Sequence, residues 1–576
     1  MIKTKYIPFF IIMTGLIYGM IIYILPKEAF WITDGGNKFI QVKNIALSGF
    51  GDFSIPYPAK DLDPELTFFP YCGHHFQKIG DKIYSFYPFY FPLISFFFYH
   101  FFGIAGIYVL PLVSSTLCLI VMCLILRQLN CPDQYGIAVP ILGFCTPIFF
   151  YSLTFWEHSL AMMLSTSSLF LILKSRQSRK EATILLFAGL LMALSTILRE
   201  EGYILLFSIV VSFIFSFHPG RNITFLSLGW LAIMIPIWIL QHNLFGHCLG
   251  LHAAVYSSAL SHPGSIFTAD NVLGKLSNFF VYLFKFNSNT LISLLLTIPH
   301  LAAFTIGFLC ATSNNWGKPR IFILVATSIT TTILSILLLA NDSPVFNTLF
   351  TQSLLPSTPF IILFILYSRT SILSNEVNLK FLATMSLIFI IATCLLLNQR
   401  DIGIIWGPRH FISLYPIFVP LSLLAVHTLL NHVTTKTSKK LVTAAVASLL
   451  VVSFVIQAHG VRILHLKKTS TKQIISFVKS LQTEIIVTDV YWLPEELASI
   501  YYDKKILMVR SDEHLQSLLS LFRMNNIRHF SFITSEYYGR ISKEALHKMA
   551  GLVEDRKKIV SSGVEFMELM VLCCKL

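Results

Sequence analysis

Three places in this chain gather side chains able to move a proton or hold a phosphate. The first is Asp34 in FWITDGGNKF (residues 30–39), where an acid and two glycines follow the first long apolar run. A carboxylate at the start of a helix can cap it, or it can accept a proton from a reacting hydroxyl or amine. The second place is a pair of short polar turns between apolar runs, Trp156-Glu157-His158 and Arg199-Glu200-Glu201. These residues can serve as plain turns and ion pairs, or they can line a polar site. The third is WGPRH (406–410), in which Arg409 opens an apolar run. A guanidinium there can grip a phosphate through two parallel hydrogen bonds, or it can pair with Asp401 or a lipid headgroup. His74, His75, His242, His247 and His252 lie in two loops, at spacings that fit no metal motif.

The elements that position these residues must be membrane helices. The 576 residues are 55% hydrophobic and only 12% charged, with a mean hydropathy of +0.70. A soluble domain carries about 25% charged residues, so the solvent of this chain is a bilayer. Apolar runs cover 7–25, 88–102, 104–126, 135–153, 158–173, 183–198, 202–217, 224–241, 289–310, 320–340, 349–367, 380–397, 411–430 and 440–457. The first follows Lys3 and Lys5 but is followed by no small-residue cleavage site, and reads as a retained span. Ten cysteines, with no CxxC pair, support neither a disulfide framework nor a zinc site. The net charge of +14 belongs to the loops of a membrane protein and does not imply nucleic acid.

Loop charge sets the expected orientation. Arg127, the Lys174/Arg176/Arg179/Lys180 group, Arg221, Lys318/Arg320, Arg369/Lys380 and Lys436/Lys439/Lys440 all sit in short loops. They share the cytoplasmic side only if the N-terminus is inside and 88–102 does not cross. That segment, PFYFPLISFFFYHFF, is aromatic-rich, contains Pro92 and falls short of the roughly twenty residues a span needs. It is expected as an interfacial helix, leaving about thirteen spans with the C-terminus outside. The first loop (26–103), a second loop (242–288) and all three polar sites then fall on the exoplasmic side.

The tail changes character. Strand-like EIIVTDV, KILMV, HFSFIT and VEFMELMVL alternate with helical TKQIISFVKSL and DEHLQSLLSLF, which predicts a small α/β domain. The expected fold class is a polytopic α-helical membrane protein with a small C-terminal α/β exoplasmic domain. The expected division is 1–457 transmembrane and 458–576 C-terminal. The tail has no Gly-rich phosphate loop and is assigned no chemistry.

An acid after the first span, an amphipathic stretch behind it, KIYSFYPFYFPLISFFFYHFFG and GPRHFISLYP together resemble the GT-C superfamily of membrane glycosyltransferases. The nearest type is that of the protein O-mannosyltransferases and aminoarabinose transferases. Two departures stand out: Gly35 rather than a second acid follows Asp34, and YPFYFP separates the two prolines. The resemblance implies transfer of a sugar from a polyprenyl-phosphate donor to a lipid, glycan or protein acceptor at the periplasmic face of a bacterial inner membrane. It implies Asp34 as the catalytic group, with Arg409, His410, Arg199, Glu157, His158, Lys82 and Tyr87 as substrate contacts. It allows a divalent metal ion, for which no ligand set is legible. Rival readings are a flippase of lipid-linked sugars, a polysaccharide polymerase or ligase, and a binding module on an anchor. A transporter should show paired repeats and broken midplane helices, and none is evident in the sequence.

Overall fold

A computed structural model of the chain describes residues 6–71, 75–131, 135–216, 220–252, 318–340, 351–372, 374–397, 404–559 and 569–576, with 254, 274, 275, 279 and 281–283 between them. The apolar runs form helices: α1 (Ile7–Ile24), α2 (Thr33–Ser48), α3 (Tyr90–Phe102), α4 (Val109–Gln128), α5 (Tyr135–Phe144), α6 (His158–Ser175), α7 (Glu181–Leu198), α8 (Glu201–Ser216) and α9 (Gly220–Phe245). They continue with α10 (Lys318–Leu339), α11 (Ile362–Ile372), α12 (Val377–Leu396), α13 (Tyr415–His432) and α14 (Lys436–Ser480). Among the described residues, seven helical stretches are long and apolar enough to cross a membrane, and three shorter apolar helices accompany them. The expected run 289–310 lies outside the described residues, as does part of 349–367.

One compact unit comprises Met1–Tyr23, Tyr108–Asn243 and Ala259–Ile463. Its outward side chains are apolar, such as Phe9, Ile12 and Leu16 on α1 and Phe207, Ile214 and Phe215 on α8. Hydroxyls are turned inward and bond their own helix: Ser208 donates to the Ile204 carbonyl and Thr331 to that of Thr327. That arrangement suits a hydrocarbon solvent, where a polar group must find its partner within the protein. Small residues let helices touch. A Cβ on Gly189 of α7 would stand 2.1 Å from the Leu226 carbonyl oxygen of α9. A Cβ on Gly229 would stand equally close to Leu186 of α7. The expected span 135–153 is not one helix. It stops at Phe144 and resumes as a single turn, Ile148–Tyr151, because Pro147 offers no amide hydrogen and the Thr146 hydroxyl takes the Leu142 carbonyl.

The other unit comprises Ile24–Ile107, Leu244–Ser258 and Leu464–Leu576. This division differs from the one drawn at 457/458. The composition shift falls within α14, a single 45-residue helix, and the first loop folds with the tail. The tail sheet has the order β4-β3-β5-β7-β6, with β3 (Ile485–Thr488), β4 (Lys505–Met508), β5 (His529–Thr534), β6 (Val553–Ile559) and β7 (Leu569–Lys575). Its β3, β4 and β5 are parallel, and β7 runs antiparallel to β5 and β6. One face packs on the end of α14 through Ile474, Ile475 and Val478. The other packs on helix α15 (Asp512–Met524) and on Ile55, Tyr57, Phe68, Tyr71 and Phe76 of the first loop. The Met508 amide even donates to the Phe68 carbonyl at 2.9 Å. The first loop also carries a hairpin, β1 (Phe76–Ile79) with β2 (Lys82–Ser85).

Helix α2 is not the half-solvated amphipathic helix expected from its pattern. Every residue from Gly35 to Ile45 except Lys43 is buried, against α3 and the stretch 493–500 of the tail. A helix, α3, covers most of the expected segment 88–102, and it ends at Gly103, whose φ is 59°.

Candidate active site

All the predicted site residues except Lys82 fall into two clusters, each within one unit. The first centres on Asp34, the second residue of α2. The cap position is held by Ile32, in extended conformation, so the N-cap residue is not Asp34, which stands at the second helical position. Its Oδ1 accepts a hydrogen bond from the Tyr87 hydroxyl at 2.6 Å. Tyr87 is held in turn, its carbonyl taking the Gln41 side-chain amide at 2.8 Å. Lys38, one turn beyond Asp34 and buried, places its ammonium 4.8 Å from the centre of the Tyr87 ring. Between them in sequence, Asn37 is wholly buried, and neither amide atom has a hydrogen-bond partner.

A Cβ on Gly36 would lie 2.6 Å from the Glu495 carbonyl oxygen and 2.9 Å from Ala498 Cβ. Only glycine lets this tail segment press on the first turn of α2. The segment is itself anchored, because Lys467 and Thr471 of α14 bond the Glu496 carboxylate at 2.7 and 3.1 Å. Its neighbour Glu495 is buried and is bonded by Nδ1 of His75. Burial pushes the Glu495 carboxyl above its usual range, opposed by its bond to His75. Burial also presses the His75 imidazole down. That is outweighed by the Glu495 hydrogen bond and the Glu495 and Asp34 charges, which together raise it above 6.5.

The second cluster joins the span ends. The guanidinium of Arg199 reaches Glu157 at 3.2 Å through Nη1 and Glu201 at 3.1 Å through Nε, with Nη2 on Glu201 as well. His410 Nδ1 bonds Glu201, and Arg409 Nε donates to His410 Nε2 at 3.4 Å. This pattern sets the tautomer: Nδ1 carries the hydrogen and Nε2 accepts. Glu157, Arg199, Glu201, His410 and Arg409 thus form one chain of alternating partners. His158 is buried between the rings of Tyr151 and Trp156, with centroids at 4.7 and 4.6 Å. Asp401, the alternative partner of Arg409, lies outside the described residues, as does His74.

Lys82 joins neither cluster. It lies exposed on the hairpin and pairs with Asp52 at 2.8 Å. The sequence reading missed His75 and Glu495, and left Glu201 out of the candidate set. Glu201 adjoined a chosen residue and could have been included, whereas nothing in the sequence joins Glu495 to His75 across 420 positions. The tail, assigned no chemistry from its pattern, supplies one of these groups. Among the described residues no set of three or more His, Cys, Asp or Glu side chains could hold a metal ion. Glu157 and Glu201 both bond Arg199, so the described carboxylates of this cluster are already engaged by a cation of the protein.

No family model and no curated protein matches the sequence. Solved structures do. ArnT from Cupriavidus metallidurans bound to undecaprenyl phosphate aligns at a TM-score of 0.50 and 9% identity, covering 98% of this chain and 97% of that one. The apo state of the same protein gives the same coverage and score at 10% identity. The Archaeoglobus fulgidus oligosaccharyltransferase, tethered by a disulfide to an acceptor peptide with the NVT sequon, aligns at 0.50 and 11% identity over 92% of this chain and 69% of that one. The chain thus shares the fold of ArnT and of this oligosaccharyltransferase, a fold that agrees with the one the GT-C resemblance implies.

Proposed function

We propose that this chain is a glycosyltransferase that moves a sugar from a polyprenyl-phosphate carrier to a lipid, glycan or protein acceptor at the periplasmic face of a bacterial inner membrane. One observation carries the reading: in a chain with the GT-C fold, Asp34 stands second in α2, beyond the cap position, stays half-exposed and holds a 2.6 Å bond from Tyr87. The undecaprenyl phosphate bound to ArnT supports the class of carrier.

The chemistry assigns each group a task. An acceptor oxygen or nitrogen attacks the anomeric carbon, and the bond from that carbon to the carrier phosphate breaks. The electron pair leaves with the phosphate and the anomeric configuration inverts. The proton of the attacking atom goes to Asp34, which Tyr87 orients. The leaving group is already a phosphate, so no general acid is required. Arg409 meets the charge that grows on the phosphate. Only its Nε is engaged by His410, and its two terminal nitrogens carry the fork that suits a phosphate. Arg199, Glu157, Glu201 and His410 hold Arg409 in register. His158 packs beside that network, and Lys82 has no part in it.

The test is Asp34→Asn, which is nearly isosteric. Membranes containing the variant are given a radiolabelled polyprenyl-phosphate sugar, and release of free polyprenyl phosphate is followed. Normal protein level with transfer lowered by about 10²–10⁴-fold is expected of a lost general base. Near-normal transfer would remove Asp34 from the mechanism.

A further inference from the structure

The turn that carries Arg409 is tied down on both sides, and both ties finish on one short segment. Trp406, three residues before Arg409, is wholly buried and stacks on Phe150 with ring centroids 5.6 Å apart. Its Nε1 donates to the side-chain oxygen of Gln457 on α14 at 3.0 Å. The nitrogen of the same amide donates to the Ser357 carbonyl at 2.8 Å. Six residues after Arg409, the Tyr415 hydroxyl at the head of α13 lies 2.9 Å from the Thr358 hydroxyl and 3.4 Å from that of Ser357. Trp406, Gln457, Ser357, Thr358 and Tyr415 thus close a loop across residues 407–414, and all five are 0% exposed.

Two glycines make the fit tight. A Cβ on Gly460, about one turn along α14 from Gln457, would stand 2.3 Å from the Trp406 indole. Gly407 adopts φ 71°, and a Cβ there would stand 2.7 Å from the Pro147 ring. All of these residues belong to one compact unit. Apolar side chains could fill the same space in a bilayer protein. Enclosed polar groups must instead meet their partners at one distance and one angle, so a satisfied network fixes one conformation of what it holds. The His410 bond acts on the Arg409 side chain, whereas these contacts act on the backbone that presents it.

We propose that Trp406, Gln457 and Tyr415, with Ser357 as their common anchor, are positioning residues for Arg409: they clamp the backbone of 407–414 so that the guanidinium fork is in place before the carrier phosphate arrives. The inference rests on the reading of Arg409 as the phosphate contact. A preformed fork spares the ordering that binding would otherwise cost, so the clamp is felt in donor affinity.

The test has one arm that needs no donor. Full-length protein in detergent is treated with phenylglyoxal, which modifies guanidinium groups, and modification of Arg409 is read by mass spectrometry against the exposed Arg127. Gly460→Ala drives a methyl into the indole, and Tyr415→Phe deletes one hydroxyl. Each should change the Arg409 rate about three- to tenfold relative to Arg127, the factor that one lost neutral hydrogen bond carries. An unchanged ratio in both variants would overturn the proposal. In the second arm, a defined polyprenyl-phosphate sugar should bind Tyr415→Phe about three- to tenfold more weakly than the wild type. The same substitution should cost nothing further in an Arg409→Ala background, because the clamp acts through that side chain. A loss that persists without Arg409 would overturn the proposal and leave these contacts as core packing. Full donor affinity in Arg409→Ala would instead overturn the phosphate reading, and the phenylglyoxal arm still decides whether the clamp sets Arg409.

Discussion

The two polar clusters use the same residue types to opposite ends. At the span ends, the cation Arg199 lies between the carboxylates of Glu157 and Glu201, and His410 closes the chain toward Arg409. Around Asp34, the partners are a phenol, an imidazole and a second buried acid, and the lysine of that cluster lies over a ring. Opposite charges in contact fix a geometry and resist titration. Acids beside neutral donors and an imidazole can change protonation near neutral pH. On the proposed reading the span-end cluster holds charge and the Asp34 cluster handles protons.

The sharpest way to break that distinction is to remove the centre of the holder. Arg199→Met leaves two nearly buried carboxylates without their shared cation. Breaking such a pair costs about 3–5 kcal/mol, so the variant should be depleted from membranes and unfold at lower temperature in detergent. Adding Glu157→Gln and Glu201→Gln removes the stranded charges and should restore much of the lost stability. Asp34→Asn should do the reverse, abolishing transfer while leaving the unfolding midpoint near that of the wild type. An Arg199→Met protein with an unchanged midpoint would erase the contrast between the clusters.

A smaller effect is expected at Arg409, the proposed phosphate contact. A hydrogen bond to a charged group is worth about 1.5–3 kcal/mol, so Arg409→Ala should weaken binding of a defined polyprenyl-phosphate sugar roughly ten- to a hundredfold. Arg409→Lys keeps the charge, loses the planar fork and should fall between. Turnover should drop as well, because the phosphate gains charge as the sugar departs. Unchanged affinity and turnover in Arg409→Ala would make this arginine a structural or headgroup contact.

The proton-handling cluster should also mark stability with pH. The folded state raises the proton affinity of His75 above the unfolded value of 6.5, and burial does the same for Glu495 above 4.5. Both groups therefore favour the folded state more when protonated. The His75 contribution is fully present below pH 6.5 and is lost as pH rises through its raised value, while that of Glu495 is fully present below 4.5 and is lost as pH rises through its own raised value. The detergent-solubilised protein should lose thermal stability across that window, and Glu495→Gln should flatten the slope. A slope that survives in Glu495→Gln must come from other groups.

Much of this organisation is legible in the sequence, for reasons that also explain the gaps. Apolar runs announce helices because a bilayer demands them, and Asp34 and Arg409 stand out because charge at a span end is costly. Central strands β3 and β5 and edge strand β4 read as short apolar runs since both faces of this part of the sheet are covered. Strand β6, VEDRKKI, does not. It is an edge strand whose exposed charges prevent pairing with another chain, and that charge hides the pattern. The break after Phe144 is marked by Pro147, but hydropathy alone runs straight through it. The amphipathic pattern of α2 is real, yet a pattern cannot say that its polar side is covered by a tail segment more than 400 positions away. Gly36 carried that information in a form that only the packing reveals.

The smallest effect is expected at Lys82, where the comparison can be sharpened by a residue belonging to neither cluster. Its hairpin pairs Ile79 with Lys82 across a tight turn at Gly80, which adopts φ 59°. The strand alternates, so Ile83 points into the core while Lys82 points out to Asp52. Both members of that ion pair are well exposed, at 54% and 40%, and water and salt compete for each. Lys82→Ala should therefore leave donor affinity and turnover within about twofold of the wild type, the behaviour of a screened surface pair. The unfolding midpoint should hardly move. The measurement is informative because the sequence offered Lys82, by residue type and loop position, as a further phosphate contact beside Arg409. A tenfold loss of donor affinity in Lys82→Ala, together with normal affinity in Arg409→Ala, would move the phosphate contact to the first loop. It would also leave the span-end cluster as a structural brace alone.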